Sequence, residues 1–64
     1  MREPISNRIK EERKRRNWTT YDLAQRAGWS KSTIERIERG EGTSFQAISD
    51  ILEALGAQII IQWR

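Results

Sequence analysis

The chain contains neither cysteine nor histidine. Without these residues it cannot form disulfides, zinc sites of the usual kind, or the Ser-His and Cys-His pairs of nucleophilic catalysis. Long apolar runs are also missing, since none approaches the ~20 residues of a membrane-spanning helix. The N-terminus lacks the pattern of a signal peptide. We therefore expect a soluble cytoplasmic protein that makes no membrane contact, is not an enzyme, and has no metal, cofactor or small-molecule ligand.

Positive charge is concentrated in the first two thirds of the sequence. Residues 1–40 contain eleven Lys or Arg and six acidic residues, whereas residues 41–64 contain one Arg and three acidic residues. The charge asymmetry is typical of a face that binds phosphates.

The 64 residues suffice for one small domain, and a domain of this size buries only about 60% of the surface that its unfolded chain exposes.

The segment TTYDLAQRAGWSKSTIERIERG, residues 19–40, is predicted to contain two short helices joined by a tight turn. Thr19 and Asp22 have the spacing of a capping box, which predicts a first helix over residues 20–27. Gly28 suits the left-handed residue that ends such a helix. The capping box at the start and the glycine at the end together indicate a turn immediately after the first helix.

A second helix is predicted from Lys31 to Glu38 or Arg39. Ser30 can cap its start, and Gly40 can close its end. Both helices carry one apolar stripe, formed by Leu23, Ala24, Ala27, Ile34 and Ile37. We expect the stripes to face each other, and the small alanines allow the helices to cross closely at a steep angle.

The outward face of the second helix mixes cations with short hydrogen-bonding side chains. It is formed by Lys31, Ser32, Glu35, Arg36 and Arg39. Arg and Lys donate to guanine O6 and N7, and Ser can contact either kind of base. The alternative is a solvated polar face with no binding role, which is common on amphipathic helices. The surrounding segment favours DNA recognition.

The stretch LAQRAGWSKSTIERIERG resembles the lambda-repressor-like, Cro/C1-type helix-turn-helix family, also called the xenobiotic-response-element family. The matching positions are Thr19, Leu23, Ala24, Gly28, Ser30, Ile34, Ile37, Glu38 and Gly40. With flanking helices the resemblance covers roughly residues 5–56. It implies an all-α, four-helix lambda-repressor-like domain. Trp29 stands where the family usually has a smaller aliphatic residue, so we expect it to fill core volume and to need a partner for its indole N–H.

The resemblance also implies a set of contacts. By position, Lys31, Ser32 and Arg36 face the bases of double-stranded DNA. Thr20, Arg39 and Thr43 lie near phosphates, although Thr20 replaces a Gln that is common in the family. Arg13 and Glu38 form a partly buried ion pair between the N-terminal flanking helix and the predicted helix that starts at Lys31, which is the recognition helix of the family.

The flanking helices complete the predicted core. The first begins at Pro4 or Ile5, runs to about Arg16, and contributes Ile5 and Ile9 to the core. The last begins with a capping box of Thr43 and Gln46 and ends at Leu55, with Gly56 as the left-handed residue. Its apolar positions are Phe45, Ile48, Ile51, Leu52 and Leu55. The free N–H groups at Thr43 and Ser44 can also bind a phosphate.

The tail AQIIIQWR, residues 57–64, breaks the helical pattern. The β-branched residues favour a strand, whose dimer-forming residues would be Ile59, Ile60, Ile61 and Trp63. Because no second strand is predicted, we expect two tails to pair antiparallel across a homodimer. The alternatives are a tail that packs on its own domain and a fifth helix. The chain thus divides into a DNA-binding domain, residues 1–56, and a dimerisation strand, residues 57–64.

These features predict a homodimer that binds a near-palindromic operator and regulates transcription, as a repressor by occupancy. Two alternatives are open. One is an antitoxin-like regulator of the same family that also binds a protein partner. The other is a protein-interaction module that has lost DNA binding.

Overall fold

A computed structural model describes residues 4–60, 62 and 63. These residues form four helices, α1 (Ile5–Arg15), α2 (Thr20–Ala27), α3 (Lys31–Glu38) and α4 (Phe45–Ala54). The prediction of a four-helix, all-α domain is therefore confirmed. None of these helices has the length and apolar character needed to cross a membrane. In the tail, residues 57–60, 62 and 63 adopt neither helix nor strand in the single chain, and Ile61 lies outside the described residues.

The helices that flank the turn begin with the predicted caps. The Thr19 hydroxyl accepts a hydrogen bond from the Asp22 N–H at 3.0 Å, and the Asp22 carboxylate accepts one from the Thr19 N–H at 2.8 Å. The bond from the Thr19 backbone is the main reason why the pKa of Asp22 is lowered. Ser30 accepts a bond from the Thr33 N–H at 3.2 Å. The starts of α2 and α3 are thus local properties of the sequence.

The predicted capping box at the start of α4 is wrong. Ser44, and not Thr43, is the capping residue, and its hydroxyl accepts a bond from the Ala47 N–H at 3.1 Å. Gln46 instead donates to Asp50 one turn further along, at 2.9 Å. The physical reason is that a capping side chain must directly precede the first helical residue in order to reach an N–H two or three positions into the helix. Both Thr43 and Ser44 are common capping residues, and although only Thr43 has a Gln three positions later, the backbone selects Ser44.

Ser44→Ala is therefore expected to lower the free energy of unfolding by about 1 kcal/mol, the usual cost of losing a capping side chain. Thr43→Ala is the matched control, and we expect it to change stability by less than about 0.5 kcal/mol. Urea unfolding followed by circular dichroism measures both. Equal losses in the two variants would contradict the assignment of Ser44 as the cap.

The helix ends share one backbone pattern, which α3 shows clearly. Gly40 follows α3 with a φ of 82°. Its N–H donates to the Ile37 carbonyl, and the next N–H, that of Glu41, reaches back to the Arg36 carbonyl, both at 3.0 Å. This is a Schellman motif, in which a left-handed residue lets two N–H groups satisfy the last carbonyls of the helix. The left-handed residue after α1 is Asn17, with a φ of 59°.

Packing places α2 against α3 and α4, while α1 packs against α3. The buried core residues are Ile9, Leu23, Ala24, Ile34, Ile37, Ala47, Ile51 and Leu55. The two apolar stripes of α2 and α3 are therefore buried, as predicted. Trp29 is partly buried against this core, and its indole N–H donates to the Asp50 carboxylate at 2.9 Å. The prediction that Trp29 adds core volume and has a polar partner is confirmed.

Ile5 and Phe45 are predicted to belong to the core but are exposed, and Ile48, also predicted there, is only half-buried. Ile5 is 47% exposed and Phe45 is 64% exposed. Each is the first residue of its helix. Helical side chains tilt towards the N-terminus, so a residue in this position extends beyond the helix rather than onto the packed layer. Phe45 consequently adds an aromatic ring to the surface at the start of α4. α1 ends at Arg15 with Arg16 as its C-cap, which agrees with the prediction that it runs to about Arg16.

Candidate nucleic-acid interface

The face of α3 that carries the predicted base-reading residues is exposed. Lys31, Ser32 and Arg36 are all solvent-exposed, whereas Ile34 and Ile37 on the opposite side are buried. The helical repeat therefore separates a core face from a polar face within eight residues. The structure places the three predicted base-reading side chains together on the polar face.

Ser32 is part of a small hydroxyl cluster at the start of α3. Its Oγ lies 3.1 Å from the Oγ of Ser30, which in turn lies 2.8 Å from the Oγ1 of Thr33. A hydroxyl has one hydrogen to donate and two acceptor lone pairs. Ser32 therefore keeps hydrogen-bonding capacity towards the solvent even while it contacts the capping residue.

An acidic residue joins the two arginines near the end of α3. The Glu41 carboxylate accepts a hydrogen bond from Arg39 Nε at 2.6 Å, and it lies 3.8 Å from Arg36 Nε. The hydrogen bond from Arg39 is the largest cause of the lowered pKa of Glu41, and the charge of Arg36 adds a smaller effect in the same direction. Sequence reasoning missed this contact. The available signal was an acidic residue just after the glycine that closes α3.

The predicted phosphate-binding residues lie at several points around α3. Arg39 is exposed at its C-cap, and Thr43 and Ser44 are exposed before α4. Thr20 is half-buried as the first residue of α2. The Ser44 hydroxyl occupies the Ala47 N–H, so that this N–H is already satisfied. A phosphate near α4 would therefore meet the remaining N–H groups of the first turn.

A nearly buried ion pair ties α1 to α3. Arg13 donates from Nε and Nη2 to the two carboxylate oxygens of Glu38, at 2.6 and 2.9 Å. The remaining Nη1 donates to the carbonyl of Trp18 at 2.7 Å. The side chains of Arg13 and Glu38 are only 11% and 8% exposed. The hydrogen bonds to Glu38 raise the pKa of Arg13. This bidentate geometry fixes the orientation of α3 relative to α1.

The entry to α2 is held by a stack of charged and aromatic groups. The Arg26 guanidinium lies 4.2 Å from the centroid of the Trp18 ring, and that of Arg16 lies 5.7 Å from it. Arg16 also donates to the Leu55 carbonyl at the end of α4, at 2.7 Å. Trp18 and Arg16 therefore connect the loop between α1 and α2 to α2 and to the end of α4. In the described part of the chain they do not extend the exposed face of α3.

Comparison with known proteins agrees with this geometry. A family model described as a helix-turn-helix domain matches residues 5–59. The match begins at the first residue of α1 and includes all four helices. No curated protein matches the chain. With two short helices packed around a glycine turn, one of them presenting a basic polar face, and with a match over most of its length, the chain belongs to the helix-turn-helix domain family.

Proposed function

We propose that this protein binds double-stranded DNA sequence-specifically and regulates transcription, with α3 as the helix that enters the major groove. Membership of the helix-turn-helix family supports DNA binding. The observation that carries the proposal is the two-sided character of α3, whose buried face holds Ile34 and Ile37 while its exposed face presents Lys31, Ser32 and Arg36. The second helix of such a motif reads base edges with its outward side chains. The function is binding alone, without catalysis or a cofactor.

The resemblance to the lambda-repressor-like, Cro/C1-type family supports the roles of individual residues. Lys31, Ser32 and Arg36 read bases. The phosphate contacts come from Arg39, from the exposed start of α4 at Thr43 and Ser44, and from Thr20 at the start of α2. The ion pair of Arg13 and Glu38 keeps α3 in the orientation that these contacts need.

The proposal includes a homodimer that pairs the tails of residues 57–64. Two exposed apolar side chains support it, because Ile60 is 70% exposed and Trp63 is 92% exposed in the single chain. Exposed β-branched and aromatic residues outside the packed helices favour pairing with a second chain. Two recognition helices related by a two-fold axis would reach major grooves about 34 Å apart, so the operator would be a near-palindrome. Occupying that operator is sufficient for repression.

Arg36→Ala tests the assignment of α3. We expect this variant to weaken binding to the preferred duplex by about 1–3 kcal/mol, the usual discrimination of one bidentate arginine–guanine contact. The preference at one base position in each half-site should also relax. Fluorescence anisotropy with single-base variants of the duplex measures both effects.

Arg39→Ala is the matched control, because it removes the same charge from the end of the same helix. As a phosphate contact, Arg39 should affect all duplexes by a similar factor. If Arg36→Ala left the base preferences unchanged, Arg36 would not be a base-reading residue. If neither variant altered binding, α3 would not be the recognition helix.

A further inference from the structure

Glu41 forms ion pairs with both Arg36 and Arg39 of the α3 face, and in each pair the nearest arginine atom is Nε. One carboxylate oxygen accepts a hydrogen bond from Arg39 Nε at 2.6 Å, and the other lies 3.8 Å from Arg36 Nε. Neither contact uses an Nη atom. A guanidinium offers its Nε side and its two terminal Nη groups as separate hydrogen-bonding edges. Glu41 therefore holds the Nε side of Arg39 by a hydrogen bond and attracts the Nε side of Arg36 by charge alone, and it leaves the Nη edge of both to an incoming ligand.

The position of Glu41 is set by the backbone. Its N–H donates to the Arg36 carbonyl at 3.0 Å, as the last hydrogen bond of the Schellman motif that closes α3. Gly40 makes this reversal possible, with a φ of 82° that other L-residues rarely adopt. The carboxylate is consequently returned to the last turn of α3, beside the two arginines. The three side chains are 48–59% exposed, so DNA can reach them.

This arrangement has two consequences for a helix that reads DNA. Because Glu41 lies on the Nε side of Arg36, the two Nη groups remain available to donate to guanine O6 and N7. The carboxylate also repels phosphates, so it opposes binding that depends only on charge. The first effect favours the correct base, and the second disfavours every duplex.

We propose that Glu41 is a positioning residue that sets the sequence selectivity of α3, by orienting Arg36 and Arg39 through Nε and by opposing non-specific phosphate contacts. The proposal rests on the DNA-binding function proposed above. It adds a residue that follows the recognition helix and acts through the arginines without itself reading a base.

The test compares dissociation constants for a preferred duplex and for a scrambled duplex of equal length at one salt concentration. Glu41→Gln is expected to tighten binding to the scrambled duplex and to relax the base preference at the Arg36 position. The ratio of the two dissociation constants should fall about 3- to 10-fold, which is part of what a full arginine–guanine contact supplies. Glu53→Gln is the charge-matched control, since Glu53 is an exposed acidic residue of α4. Its ratio should equal that of the wild type.

Glu41→Asp separates geometry from charge. It keeps the carboxylate but shortens the side chain by one methylene, so one carboxylate can no longer reach both arginines from the same backbone position. We expect a relaxed preference at the Arg36 position without tighter binding to the scrambled duplex. Circular dichroism verifies that the variants are folded.

The outcomes are distinct. A Glu41→Gln variant that tightens both duplexes equally, and so keeps the wild-type ratio, overturns the positioning role. So does an effect of the same size in Glu53→Gln, because it would reflect net charge alone. A wild-type protein that binds the two duplexes equally overturns the proposed sequence-specific function itself, and this inference with it.

Discussion

Replacing Glu38 with alanine is expected to lower the free energy of unfolding by about 3–5 kcal/mol, the cost of breaking a buried ion pair from one side. The variant leaves the Arg13 guanidinium, only 11% exposed, with the Trp18 carbonyl as its remaining partner among the contacts seen here. A domain of 64 residues has a total stability of roughly 3–10 kcal/mol. The loss is therefore a large fraction of the total stability, and the midpoint of urea unfolding followed by circular dichroism should fall in proportion.

Two controls separate the ion pair from its surroundings. Glu53→Ala removes an exposed acidic residue, and should change stability by less than about 0.5 kcal/mol. The double variant Arg13→Met with Glu38→Leu replaces both charges by apolar groups, and should regain most of the loss, because no buried charge remains unpaired. A Glu38→Ala loss below about 1 kcal/mol, the range of an exposed ion pair, would contradict the account.

Removing residues 58–64 is expected to convert a dimer into a monomer. Binding to a duplex with two half-sites should then weaken by about 10²- to 10⁴-fold, because the second half-site no longer gains from the first. Ala57 is retained because its N–H closes α4 by donating to the Leu52 carbonyl at 2.8 Å. The buried core ends at Leu55, so the shortened chain should remain folded. Sedimentation measures the mass and anisotropy measures the affinity.

Point variants in the tail test the strand geometry. Alternating residues of a strand lie on opposite faces, so Ile59→Lys should prevent pairing while Gln62→Lys, at an exposed position, should not. Ile59 also lines an open surface pocket of about 360 Å³, together with Phe45 and Gln58. A dimer that survived deletion of the tail would place the interface elsewhere. A wild-type monomer would favour a tail that packs on its own domain or binds a different protein.

The local signals in the sequence were sufficient for most helix boundaries. Thr19, Ser30 and Gly40 each act on residues within four positions, so their capping roles follow from spacing alone. The start of α4 is misassigned from the sequence because Gln46 completes a capping box with Thr43, whereas the adjacent Ser44 is the cap. Phe45 was placed in the core because periodicity identifies a face of a helix but not how far the packed layer extends along it.

Contacts between residues that are distant in the sequence cannot be predicted from hydrophobic periodicity alone. Arg13 and Glu38 are 25 positions apart, and their pairing was expected only from the family resemblance. The contacts of Glu41 depend on a backbone reversal that brings it back over α3, which charge patterning does not reveal. The strand predicted for the tail needs a second chain to supply its hydrogen bonds.

The most direct test of the central claim is selection of binding sites from random duplexes with the purified protein. The account predicts a near-palindromic motif whose half-sites lie about one helical turn apart, matching two recognition helices about 34 Å apart. Enrichment of isolated half-sites would retain α3 as the recognition helix and contradict the paired dimer. No enrichment above non-specific binding would contradict the proposed function and favour a protein-interaction module.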